Sequence, residues 1–206
     1  MLSRTPHLVE LRLQGVLFGD SVLAEGPTAS NDNLPLLTIR HVLFRSVRFT
    51  KAGFDAILSW LDRVTTLDHI DWRFSTFLSD NVDCAVRAIQ CCVKAGARFI
   101  SLNGCGFQLQ STVALAKGFR YIRSRHSIEF DLGSNRMYLG GTRALLKALG
   151  ACTNVSMRLH SDTIPLIKDS DAQLTKARAS GVTVEWTGKI LWLRSPVGDL
   201  DATPAK

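Results

Sequence analysis

The sequence predicts an α/β fold: about seven short parallel strands lining the concave face of a bent solenoid, a horseshoe, with about five helices on its convex face. Three observations predict it. A block with apolar residues at its first, fourth, sixth, ninth and eleventh positions recurs along the chain, helix-like stretches fall between successive blocks, and capping residues sit where those stretches begin and end. The 206 residues are 46% hydrophobic and 21% charged, enough for one sizeable core. No run of apolar residues is long enough to span a membrane, and Gly and Pro are ordinary in number, which excludes collagen-like and low-complexity classes.

The first block is Leu8 to Phe18, and similar blocks start near Leu34, Leu67, Ala97, Ser127, Asn154 and Gly181. Their fourth positions are Leu11, Leu37, Ile70, Ile100, Phe130, Met157 and Val184, and their sixth are Leu13, Ile39, Trp72, Leu102, Leu132, Leu159 and Trp186. Their eleventh positions open with Phe18, Phe44, Phe77 and Phe107, then continue as Met137, Ile164 and Leu191. Between blocks two and three, Phe54, Ile57, Leu58 and Leu61 follow the i, i+3, i+4, i+7 stripe after Thr50 as N-cap, predicting a helix from Lys51 to about Thr66. Val82, Ala85, Val86, Ile89 and Val93 repeat this after Ser79 and before Gly96. Leu115, Phe119 and Ile122 mark a third helix, Leu145, Leu149 and Cys152 a fourth, and Leu174 with Ala177 a weaker fifth. The first interval, residues 19–33, contains Gly26-Pro27 and a polar run, and reads as an irregular loop.

These residues carry a resemblance. Leu132-Gly-Ser-Asn135-Arg-Met137, followed by Gly141, Leu145 and Leu149, resembles the leucine-rich repeat of the ribonuclease-inhibitor type, and Cys105 occupies the Asn/Cys position one copy earlier. The resemblance covers about Leu8 to Leu191, although Val16, Val42 and Lys189 stand at that position in copies one, two and seven. It implies a repeat domain over residues 1–193 and leaves 194–206 as a polar tail expected to be disordered. Similar repeats occur in ribonuclease inhibitors, innate immune receptors, pathogen effectors, ubiquitin-ligase substrate adaptors and activators of Ran-type GTPases, so the fold does not choose a function.

Side chains alternate across a strand, so positions three, five and seven of each block point away from the helices. Arg12, Arg40, His69, Asp71, Arg73, Asn103, Asp131, Arg158 and His160 are thereby nominated as a partner-binding face, polar and mixed in sign. A protein partner is the expectation, with no catalytic role, no cofactor and no metal. His69, Asp71 and Ser101 can be drawn as a Ser/His/Asp set, but an open sheet supplies neither an oxyanion hole nor a water-excluding pocket. His41, His69 and His160 lack metal-ligand spacing, and the five cysteines, with no C-x-x-C pair, read as small core residues in a reducing compartment.

The formal charge of +7 allows acidic partners. Lys117, Arg120, Arg123 and Arg125, near the end of the third helix, form the densest basic cluster and carry the alternative reading, a component of a ribonucleoprotein or other nucleic-acid-binding assembly. A further alternative, a regulator of a small GTPase, would draw on Arg40, Arg45 and Arg48. The first copy follows Met1 almost at once, so association through that repeat, or membership of a longer solenoid, is expected. With no secretory apolar segment, the expected compartment is the cytoplasm, organellar import being the alternative.

Overall fold

A computed structural model describes residues 8–19, 37–160 and 167–198. Most of the loop expected over 19–33, the eleventh-position Ile164 and the tail from 199 onward lie outside the described residues. The described residues form an open eight-stranded sheet in the order β1 (Glu10–Gln14), β3 (His41–Arg45), β5 (His69–Asp71), β6 (Phe99–Ser101), β7 (Arg123–Asp131), β8 (Thr153–His160), β10 (Ile190–Arg194), β9 (Thr183–Thr187). The first six strands of that order are parallel. β2 (Leu17–Phe18) and β4 (Arg48–Phe49) form a separate two-stranded parallel ladder.

The helices are α1 (Lys51–Leu61), the single turn α2 (Phe77–Asp80), α3 (Val82–Lys94), α4 (Leu109–Phe119), α5 (Tyr138–Leu149) and α6 (Ala172–Ala179). Successive parallel strands advance in one direction across the sheet, and right-handed crossovers then place every intervening helix on the same face. The longer helices pack accordingly in chain order, α1 on α3, α3 on α4, α4 on α5 and α5 on α6. Thr50 caps α1 as expected, its Oγ1 accepting from the Gly53 amide at 3.1 Å. The helix stops at Leu61, short of Thr66, where the β-branched run Val64-Thr65-Thr66 turns toward the next strand and Val64 bridges Leu37. Ser79 does not cap the second long helix; it lies inside α2, and Asn81 takes the N-cap position of α3.

Ladder register aligns the fourth position as Leu11, Val42, Ile70, Ile100, Phe130 and Met157. The second copy therefore starts at Ile39, not Leu34, and its five apolar positions are Ile39, Val42, Phe44, Val47 and Phe49, all buried. The phenylalanine column survives the correction as Phe18, Phe49, Phe77 and Phe107, with neighbouring rings of the first three about 6 Å apart (6.1 and 6.0 Å).

Two features repeat with the strands, the first unforeseen in the sequence and the second at the Asn/Cys position noted there. At the eighth position Gly15, Ser46, Phe74, Gly104, Ser134 and Gly188 all have positive φ, between 53° and 65°. Each left-handed residue turns the chain out of its block, a conformation that favours the glycines found at three of these six positions. At the ninth position Ser75, Cys105 and Asn135 are buried, and each donates to the sixth-position carbonyl of the preceding copy: Ser75 Oγ to Phe44 O (3.2 Å), Cys105 Sγ to Trp72 O (3.1 Å) and Asn135 Nδ2 to Leu102 O (2.9 Å). Serine thus joins asparagine and cysteine in satisfying backbone groups that the turn would leave orphaned.

The seventh copy departs from the parallel pattern. β9 does not pair with β8; β10 folds back through Gly188-Lys189 and inserts between them, antiparallel to both. Leu191 and Leu193 are completely buried in β10, whereas β9 buries only Val184 in part, so the more apolar strand takes the inner place and the polar one the edge. Residues 195–198, expected within the tail, are held on β8: Ser195 N donates to Val155 O at 2.8 Å, Asn154 N to Pro196 O at 3.0 Å and Gly198 N to Asn154 Oδ1 at 3.2 Å.

Candidate functional site: the helix-free face of the sheet

Alternation along each strand sends Val42, Phe44, Ile70, Ile100, Phe130 and Met157 into the helix-covered core and their neighbours onto the open face. Register stacks those neighbours in rows. The third-position row runs Glu10, His41, His69, Phe99, Glu129, Ser156, and the fifth runs Arg12, Leu43, Asp71, Ser101, Asp131, Arg158. Gln14 and Arg45 start a seventh-position row that Arg73, Asn103, Gly133 and His160 continue.

Two buried aspartates organise this surface. Asp71 receives Arg45 Nε at 2.8 Å, Arg73 at 3.0 Å and the Arg73 backbone amide at 2.9 Å. Asp131 receives Arg158 at 2.8 Å, the Asn103 amide group at 3.2 Å and the Gly133 N–H at 3.0 Å. Ser101, between them, accepts in the same way from Asn103 N at 3.5 Å. The carboxylates fix their arginines in set orientations while the arginine side chains remain about 30–40% exposed. Gly133 is required by close approach, because a Cβ there would lie 2.7 Å from Asn103 Nδ2 and 2.8 Å from His160.

Burial by itself would raise the carboxyl pKa of Asp131, but the bonds from Arg158, Gly133 and Asn103 outweigh it, and the group titrates below its ordinary value. A depressed native pKa gives stability that is present above the unfolded value, near 4, and is lost as pH falls through the folded one. Asp131→Asn is therefore expected to lower stability by about 2 kcal/mol at neutral pH. It should also flatten the decline in melting temperature between about pH 5 and pH 3. Arg143 holds Asp171 low as well, so the wild type keeps a second source of acid sensitivity and the difference between the two proteins isolates Asp131. Parallel melting profiles across that range would refute the assignment.

The neighbouring row is aromatic. His69 stacks on Phe99 with centroids 4.7 Å apart, His41 meets His69 edge-on at 6.2 Å, and the Arg158 guanidinium lies 5.9 Å from the Phe99 centroid. Burial, aided by Arg73, Arg45 and His41 and opposed by Asp71, lowers the pKa of His69 and keeps its ring neutral. No hydrogen bond joins His69 to Asp71 or Ser101, and the Asp71 oxygens are occupied by arginines, so these three residues do not form a catalytic relay. Among the described residues no cluster of three His, Cys, Asp or Glu could hold a metal. Burial pushes the Cys105 thiol up to about 12 and Cys152 to about 11, the opposite of nucleophilic activation.

Of the residues anticipated on this face, His69, Asp71, Arg73, Asn103, Asp131, Arg158 and His160 come together. Arg12 lies on β1, at the outer side of the sheet among the described residues, paired with Glu10 at 2.5 Å. Arg40 does not belong to the set: with the second copy starting at Ile39, it precedes β3 and pairs with Asp68 at 2.9 Å. Its place is taken by His41, Leu43 and Arg45, which the corrected register would have supplied. Phe99 follows from the same alternation rule.

Phe74 was hidden for another reason: its eighth position carries no apolar signature. It is 53% exposed at φ 62°, beside Arg73, with its ring over Gly104, where a Cβ would come within 2.5 Å of it.

The basic cluster is not one helix flank. Lys117 lies in the last turn of α4 and Arg120 caps it, while Arg123 and Arg125 belong to β7. Among the described residues no helix is long and apolar enough to cross a membrane. Compared with known proteins, the chain matches no family model, no curated protein sequence and no solved structure.

Proposed function

We propose that this chain is a non-enzymatic interaction module of the leucine-rich-repeat type that holds a protein partner against the helix-free face of its sheet. The recurring left-handed eighth position and the Ser75, Cys105, Asn135 ladder support the repeat reading. Strands stack about 4.8 Å apart while helices need about 8 to 10 Å, so an array of such units bends with its strands inside and the polar face becomes a groove.

Phe74 carries the functional reading. A bulky residue in the left-handed region costs about 1–3 kcal/mol, and an aromatic ring with half its surface in water recovers little of that. Gly15, Gly104 and Gly188, at the equivalent position, avoid that penalty, while Ser46 and Ser134 place a much smaller side chain there. An exposed, strained phenylalanine next to two arginines locked on Asp71 has the composition of a binding hot spot: an aromatic anchor with pre-oriented guanidinium groups. Phe74→Gly is expected to leave the melting temperature unchanged or raise it, and to weaken partner binding by about 30-fold or more.

Photo-crosslinking tests the surface. A photoreactive residue at Leu43, on the open face, should capture a partner from extracts of the expressing cell, whereas one at Gln90, on the helix side, should not. The affinity of that partner should fall with Phe74→Gly and with Arg73→Glu. Capture only from Gln90, or an affinity indifferent to Phe74, would reject the proposal.

A further inference from the structure

We propose a second binding surface, for single-stranded nucleic acid, on the edge of the sheet where helices hand over to strands. Parallel connectivity puts every such turn on one edge, opposite the eighth-position edge that carries Phe74. Between Cys84 and Ile128 the chain has seven Lys and Arg and no Asp or Glu. Arg87 and Lys94 are neutralised on the helix layer by Asp55 and Asp62. Arg98, Lys117 and Arg120 pair with no carboxylate among the described residues, and Arg123 is steadied by Thr153 Oγ1 at 3.1 Å. Complementing the negative end of a helix accounts for about half a unit charge, yet the end of α4 and the start of β7 carry four cations in nine residues, Lys117 to Arg125.

Two observations favour a polynucleotide over an acidic protein. Tyr121, between Arg120 and Arg123, is 80% exposed and offers a planar face on which a base can stack. β7 also starts early, its first residues running beyond β6, and with β8, β10 and residues 195–198 it borders an open cleft of about 480 Å³ whose lining includes Arg125, Ser127, Asn154, Val155, Arg194 and Val197. That volume falls within the range of small-molecule sites; Arg194 is held by Glu185 at 2.6 Å and the Asn154 amide by Ser124 and Gly198, so Arg125 and the Ser127 hydroxyl are the groups through which the cleft would meet a phosphate and its attached nucleoside.

The test is fluorescence anisotropy of the full chain with a labelled 15-nucleotide oligouridylate, with unlabelled heparin measured separately. Binding at low salt should weaken with a log–log salt slope of about −3, as expected for four or five neutralised phosphates. Arg98→Gln/Arg120→Gln/Arg123→Gln, which avoids placing acids at helix ends, should lower affinity at least tenfold and reduce the slope by about 2, with an unchanged circular dichroism spectrum. Tyr121→Ala should weaken oligouridylate at least fivefold and leave heparin binding unaltered, since heparin has no bases to stack. Phe74→Gly, at the opposite edge, should change neither. The proposal is overturned if the oligomer does not bind at low salt, if duplex competes as well as single strand, or if Tyr121→Ala affects both ligands equally or neither.

Discussion

Trp72→Ala is expected to destabilise the protein by about 4 kcal/mol, because a large aromatic side chain is removed from a packed core. Trp72 is completely buried at the sixth position of the third copy. Its ring, just after β5, lies 4.7 Å from Phe44 on β3, 5.5 Å from Phe54 on α1 and 5.9 Å from Phe49 on β4. Neighbouring rings fixed by two strands and a helix cannot collapse into the vacated space, so the cavity term adds to the lost transfer energy. Urea denaturation checks this: the midpoint should fall sharply with the slope unchanged. Trp192→Ala, on the open face of β10, should cost less than half as much. Equal costs would mean that the aromatic cluster is not the centre of the core.

Asn135→Ala is expected to cost about 3 kcal/mol, which is more than its loss of volume explains. Asn135 Oδ1 accepts from Phe107 N at 3.0 Å, while Nδ2 donates to Leu102 O at 2.9 Å and Leu132 O at 3.0 Å. Truncation orphans buried backbone groups on two adjacent copies, each at a desolvation cost of about 1–3 kcal/mol. Ser75 and Cys105 occupy the same rung but each makes one principal bond to the preceding copy, and the thiol is a weak donor. The expected order of destabilisation is therefore Asn135→Ala, then Ser75→Ala, then Cys105→Ala. A Cys105 variant as damaging as the Asn135 variant would show that packing, and not hydrogen bonding, sets the scale.

The second copy shows how a correct periodicity can still give a wrong register. Shifting a pattern of positions one, four, six, nine and eleven by five residues superposes its first three members on its own sixth, ninth and eleventh. Ile39, Val42 and Phe44 satisfy both alignments. Hydrophobicity alone could not separate them; the ladder did, by pairing Leu11 with Val42 and Val42 with Ile70. The error moved Arg40 onto the open face and kept Arg45, a partner of Asp71, off it. The antiparallel ending had a local signal, the Gly188-Lys189 pair between two strand-like runs, but only competition for burial next to β8 decides which run lies inside.

Sequence by itself determined the α/β alternation, the one-sided apolar stripes of the helices and the polar character of the opposite strand face, because each depends on residue spacing within a single element. Tertiary structure decided which residues meet: Arg45 with Arg73 on Asp71, Arg158 with Asn103 on Asp131, β10 between β8 and β9, and Phe74 held out at a left-handed turn. The contacts between copies, Arg45 with Asp71, Arg158 with Asp131 and Asn103 with Asp131, join residues 26 to 28 positions apart, and their partners are selected by strand register and shared burial, which act only once neighbouring copies have stacked.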